Sequence, residues 1–208
     1  MSEAIKHTIG AGKLKIRLLP TGDIHSIAYG DFFVSLYKGN SLAGGLSNLF
    51  LRVTAAGKTW SAPLIGANSP SVAEVYENGV IYRGSISGVE YEVRLNATGD
   101  MWFWTVTAAG AKGFAGEIFL GQDVGLCAPN LNEAYVSQYL DHRAVEEENG
   151  FHIITKQNQW PDLILRQGSL TGADSYATDG FDFFGTEYKL TNVPRALRTG
   201  KLPSRVYQ

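Results

Sequence analysis

The chain has 208 residues, 18% of them charged, a formal net charge of −2, 24 glycines and a single cysteine. That length can bury a substantial core within one domain, and low charge with abundant glycine fits many strands joined by tight turns better than a helical bundle. Scattered basic residues exclude a polyanion-binding face, one cysteine excludes an internal disulfide, and no window approaches the ~20 apolar residues of a membrane span or the core of a signal peptide, so neither nucleic acid nor membrane is expected as a partner and the expected compartment is the cytoplasm.

Residues 13–19 alternate charge and aliphatic, the period of a strand with one wet face, and are expected as an outer strand that stops at the turn Pro20-Thr21-Gly22-Asp23. Residues 24–29 and 32–37 flank Gly30-Asp31 as a hairpin, and a glycine-rich loop follows over 39–45. A second hairpin is expected from 48–54 and 58–61, then an antiparallel meander from 71–76, 80–87, 89–97 and 101–109, with 114–120 continuing the same sheet.

The one expected helix is short, at about 132–140, with Asn132 as its cap and Tyr135 and Tyr139 four apart on one face. Strands resume over 151–156 and 162–167, and Glu146-Glu147-Glu148-Asn149-Gly150 before them is a solvated turn. After Glu187 the composition changes: residues 188–208 carry Lys189, Arg195, Arg198, Lys201 and Arg205, no acid and two prolines, and are expected as a basic linker toward a further domain. The alternative is a tail tucked along the sandwich. The expected organisation is therefore an all-β domain over 1–187 followed by that linker.

His7, His25, His142 and His152 show no metal-ligand spacing, so no metal or cofactor is expected. Asp123, Glu133, Asp141, Asp179 and Asp182 could supply the acid and base pair of a glycosidase, yet carboxylates also cap turns and accept backbone N–H groups. Serine-hydrolase, P-loop and dinucleotide fingerprints are missing from the sequence. In Met101-Trp102-Phe103-Trp104 the period of two puts both tryptophans on one face, where burial is expected, whereas Trp160 sits beside three amides in Gln157-Asn158-Gln159-Trp160 and is the more credible sugar contact. The stretches 122–126, 132–139 and 176–185 interleave amides, carboxylates and rings. Such a mixture suits the hydroxyls and C–H faces of carbohydrate, and equally suits ring-and-amide packing in a sandwich.

Six blocks carry a family likeness: Leu18-Leu19-Pro20-Thr21-Gly22-Asp23-Ile24, Ser47-Asn48-Leu49-Phe50-Leu51-Arg52, Gly121-Gln122-Asp123-Val124-Gly125-Leu126, residues 132–142, residues 176–185, and Leu202-Pro203-Ser204-Arg205-Val206-Tyr207-Gln208. On them the chain resembles the N-terminal β-sandwich domain of the inverting β-glucoside phosphorylases of glycoside hydrolase family 94, within it the branch acting on β-1,2-oligoglucans; the cyclic β-1,2-glucan synthases carry a related domain. The resemblance implies an antiparallel supersandwich of the galactose mutarotase-like kind, followed by a linker and an (α/α)6 barrel that is missing here. It implies reversible phosphorolysis for the parent, with the general acid and the inorganic phosphate, a co-substrate, both bound in the barrel, so no carboxylate of this chain inherits a catalytic role. The partners implied are that barrel and a β-glucan oligosaccharide. Asn132, Tyr135, Gln138, Tyr139, Trp160 and Asp179 are the candidates for glycan or interdomain contact. The competing expectations are an autonomous mutarotase-like or glycoside-hydrolysing enzyme, which needs His25, His142 or His152 facing an acid, and a free-standing carbohydrate-binding module.

Overall fold

The structure, a computed structural model, describes residues 5–110, 113–128, 139–160, 162–187 and 193–206. Among the described residues it is built of antiparallel strands with two short helices, all-β as expected, and the chain forms two compact units, Met1–Val124 and Gly125–Gln208.

In the first unit β1 (His7–Ile9), β2 (Leu14–Leu18), β3 (Ile24–Tyr29) and β4 (Phe32–Phe33) form one sheet in sequence order. Leu14, Ile16 and Leu18 are buried and Lys15 is exposed, so the alternation of β2 is real. The strand is not an outer one, however, because the three-residue β1 pairs with it from His7↔Leu18 to Ile9↔Ile16 and covers its free edge. So short a segment has too few residues to show a period.

The second sheet is the meander: β7 (Val72–Tyr76), β8 (Gly79–Ile86), β9 (Val89–Thr98) and β10 (Met101–Ala109), in the spatial order β10-β9-β8-β7. Val89, Tyr91, Val93, Leu95 and Ala97 form the buried face of β9. Trp102 and Trp104 stand opposite Ala97 and Leu95 on that same face, both half-buried.

The third sheet joins β5 (Asn48–Ala55), β6 (Lys58–Pro63) and β11 (Ala115–Gly121) in the order β11-β5-β6. Residues 114–120 therefore do not continue the meander; β11 pairs with β5 from Ala115↔Thr54 to Gly121↔Asn48. The reason lies in β5, whose run from Asn48 to Leu51 is buried at every position. A strand buried on both faces belongs in the middle of a sheet, where both edges are paired. Within this unit Tyr82 of β8 is fully buried and donates its hydroxyl proton to the carbonyl of Gly22 at 2.8 Å, tying the meander to the turn before β3. Burial holds its phenol protonated far above the usual range.

The second unit contains β12 (Leu140–Glu147), β13 (Gly150–Gln157) and β14 (Ile164–Gly168) as a three-stranded sheet, then α1 (Gly180–Phe184) and α2 (Arg195–Thr199). Of the expected helix at 132–140, residues 132–138 lie outside the described residues, and Leu140 already belongs to β12. The sequence reading missed α1 and α2, each five residues long, because neither spans two turns of apolar period. Residues 193–206 do not run free. Ala196 and Leu197 are buried, α2 packs on α1, and Ala177 bridges Arg205 in parallel.

Among the described residues no helix is long and apolar enough to cross a membrane. Cys127, the single cysteine, is buried.

Candidate functional site

Most of the polar side chains that drew attention in the sequence are engaged in the fold. Asp23 is 3% exposed and accepts from Thr21 Oγ1 at 2.6 Å, from the Ala67 amide at 2.9 Å and from the Gly45 amide at 3.3 Å. One carboxylate thus gathers the 20–23 turn, the glycine-rich loop and the segment after β6. A Cβ at Gly66, which has φ +82°, would fall inside that carboxylate, and one at Gly44 would stand 2.7 Å from its Oδ1. Ser47 Oγ accepts from Gln122 Nε2 at 2.8 Å and from the Asp123 amide at 3.3 Å, while Asp123 Oδ2 accepts from the Tyr37 amide at 2.7 Å. These are joints between loops, and they leave Asp123 holding backbone.

The second unit repeats the pattern. Asp179 is the N-cap of α1 and accepts from the Phe181 amide at 2.8 Å, the ordinary task of a carboxylate at that position. Asp182, its side chain 11% exposed, receives Nε and an Nη of Arg205 at 2.8 Å each, a two-pronged pair. Two of the five acids weighed for a glycosidase pair therefore cap a helix and clasp the 202–206 segment. His142 meets Thr155 Oγ1 through Nδ1 at 2.9 Å, and burial pushes its pKa down against the weaker pull of Asp141. His152, 6% exposed, has Nδ1 at 2.6 Å from Glu147 Oε1 and 3.2 Å from an Nη of Arg166. Glu147 is shared between His152 and Arg166, the latter at 2.7 Å.

Among the sugar-contact candidates, Asn132, Tyr135 and Gln138 lie outside the described residues. Tyr139 and Trp160 both flank the end of the sheet of the second unit at which Leu140 pairs with Gln157: the Tyr139 carbonyl accepts from the Asn158 amide at 2.9 Å, and the Trp160 amide closes a turn onto Gln157 at 3.1 Å. Tyr139 is 38% exposed and Trp160 half-buried. Asp179 stands apart from them in sequence and caps α1.

An open-sided groove of about 400 Å³ lies elsewhere on this unit, lined by Ala144, Glu146, Glu147, Gly150, Phe151, Asp174, Tyr176 and Ser204. Its base is the β12–β13 hairpin, which closes on Glu147↔Gly150. Gly150 at φ +130° and Gly172 at φ +95° let the 172–174 segment lie on that hairpin, since a Cβ on Gly150 would stand 2.8 Å from the Ala173 amide and one on Gly172 2.8 Å from the Asn149 carbonyl. The Ser204 amide donates to the Tyr176 carbonyl at 2.8 Å and the Leu202 amide to Ser175 Oγ at 3.3 Å, so the 202–205 segment forms a further side. Ser204 sits at φ +52°, in the left-handed region that a non-glycine residue enters only when its surroundings hold it there. The rings of Phe151 and Tyr176 meet at 4.5 Å with their planes 56° apart. The sequence reading missed the groove because its lining comes from three separate stretches. The only signal was the mixture around Tyr176, and Glu146 was passed over as part of a solvated turn.

The SOGP N-terminal domain family matches residues 17–208 of the chain. A 1,2-beta-oligoglucan phosphorylase of Listeria innocua serovar 6a is 36% identical over 205 residues, which is 94% of this chain and 18% of that protein.

Proposed function

Because the chain belongs to the SOGP N-terminal domain family, we propose that it is the non-catalytic N-terminal domain of an inverting phosphorylase that acts on β-1,2-glucans. In this reading it gives structural support to an (α/α)6 catalytic barrel of the parent protein, with residues 188–208 leading toward that barrel and inorganic phosphate bound outside this chain. The parent works in the cytoplasm, and Asn132, Tyr135, Gln138, Tyr139, Trp160 and Asp179 are where the domain contacts glycan or the barrel. The observation that carries the reading is the match of residues 17–208 to that family, and the engagement of three acids supports it. Asp23, Asp179 and Asp182, from the blocks that carry the family likeness, hold backbone amides, a threonine hydroxyl and an arginine, so they are not poised for proton transfer to a substrate.

The test compares the 208-residue chain with the parent protein, each supplied with β-1,2-glucan and inorganic phosphate. The expected result is release of glucose 1-phosphate by the parent and none by the chain alone. Turnover of any saccharide by the isolated chain, as an autonomous hydrolase or mutarotase-like enzyme would give, overturns it.

A further inference from the structure

We propose that the groove bounded by Phe151 and Tyr176 is a saccharide-contact site of the second unit, separate from Tyr139 and Trp160, and that it takes a stretch of neutral β-glucan. The proposal rests on the reading that the parent handles β-glucan. Its volume of about 400 Å³ lies within the roughly 300–1,000 Å³ of small-ligand clefts. Phe151 and Tyr176 present apolar ring surface to the C–H faces of a pyranose. Beside them Glu146 and Asp174 are exposed carboxylates with no partner among the described residues, able only to accept hydrogen bonds, and sugar hydroxyls donate them. Ser204 can do either.

The same chemistry separates sugar from other ligands. An anion would meet Glu146, Glu147 and Asp174 and be repelled. A metal ion needs several acids converging on one point, and among the described residues no three His, Cys, Asp or Glu side chains do so. A purely apolar ligand would have to strip water from two carboxylates with nothing to replace it. The walls are also preset. Glu147 is fixed by His152 and Arg166, Asp174 is carried by a segment that Gly150 and Gly172 seat on the hairpin, and Ser204 is held in its unusual conformation by the bonds of the 202–205 segment. A site fixed before the ligand arrives loses less entropy on binding.

The experiment titrates the 208-residue chain with β-1,2-glucan oligomers by calorimetry, in the presence of a chelator, beside Tyr176→Ala, the double variant Glu146→Gln/Asp174→Asn, Trp160→Ala and Trp60→Ala. Binding is expected to weaken about tenfold or more in Tyr176→Ala and several-fold in the double variant, while Trp60→Ala, a half-exposed ring in the first unit, binds as the parent chain does. Should Tyr176→Ala fail to fold, the double variant alters only exposed carboxylates and carries the test alone. The proposal is overturned if the oligomers do not bind, if Trp160→Ala abolishes binding while the groove variants keep it, or if binding needs a divalent cation. Phosphorolysis by the parent protein, assayed in parallel, keeps the two readings apart: an active parent whose 208-residue chain binds no glucan leaves the proposed function standing and removes the groove, whereas binding with an inactive parent does the reverse.

Discussion

The two units differ in what holds them. In Met1–Val124 the described core is aliphatic and aromatic, drawn from β2, β3, β5, β8 and β9, with Leu51, Ile16, Leu95 and Tyr82 all but inaccessible, and one buried carboxylate joins the loops above it. In Gly125–Gln208 the buried apolar residues among those described are Leu126, Cys127, Leu165, Phe183, Ala196 and Leu197, and much of the tying is polar: Glu147 with His152 and Arg166, Asp182 with Arg205, Glu187 with Arg198. An apolar core stabilises in proportion to area and tolerates salt and pH, whereas exposed ion pairs contribute little and respond to both. The first unit also carries ion pairs, at Arg52, Arg83 and Arg94, but its larger apolar core makes it the one expected to depend less on them, and the second the one more sensitive to changes in charge.

That contrast can be broken, and the largest blow should come at Gly66. Gly66→Ala adds a methyl group inside the Asp23 carboxylate at φ +82°, and is expected to cost about 4 kcal/mol or more, read as a fall in the denaturant midpoint. Tyr82→Phe leaves the Gly22 carbonyl without its donor in a buried place and should cost about 1–3 kcal/mol by the same measurement. In the second unit Asp182→Asn removes one charge of a pair whose arginine side is 57% exposed, so the expected loss is only about 1 kcal/mol. Its readout is faster hydrogen exchange at the amides of 202–206, with the strands of the first unit unchanged. If Asp182→Asn instead costs as much as Gly66→Ala, the contrast between the units is wrong.

The smallest effect concerns acid. His142 has a folded pKa below its ordinary 6.5 because burial disfavours the imidazolium. The unfolded chain therefore binds the proton more readily, the stabilising difference is full above the ordinary value, and it is lost as the pH falls through it. Thermal melts at about pH 7.5 and about pH 5.5 should show a decline for the native chain that His142→Asn reduces. An identical decline in both would assign the acid sensitivity elsewhere.

Where the sequence was legible, it was so for a simple reason. The meander β7–β10 lies close to the positions expected for it because β8 and β9 alternate dry and wet residues and glycine-bearing turns separate the four strands. The membership of β11 was not legible, since pairing with β5 across sixty-odd residues leaves no trace in local period. The helices α1 and α2 are too short for one, although Asp179 before Gly180 is a recognisable cap. The mixed blocks were ambiguous in purpose. Gln122, Asp123, Asp179 and Asp182 hold loops and a helix in place, and the groove draws on Tyr176 from one of these blocks, with Phe151, Asp174 and Ser204 from outside them.

The glycines crowding Asp23 bear on how saturation mutagenesis of this chain would look. Gly39, Gly44, Gly45 and Gly66 each leave no room for a methyl group beside the Ile24 carbonyl or the Asp23 carboxylate. A map of mutational tolerance would therefore light up around an acid and its small neighbours, with the profile usually credited to an active centre. Ranking positions by intolerance alone would send an engineer to a keystone of the architecture and away from the surface where ligand preference can be altered.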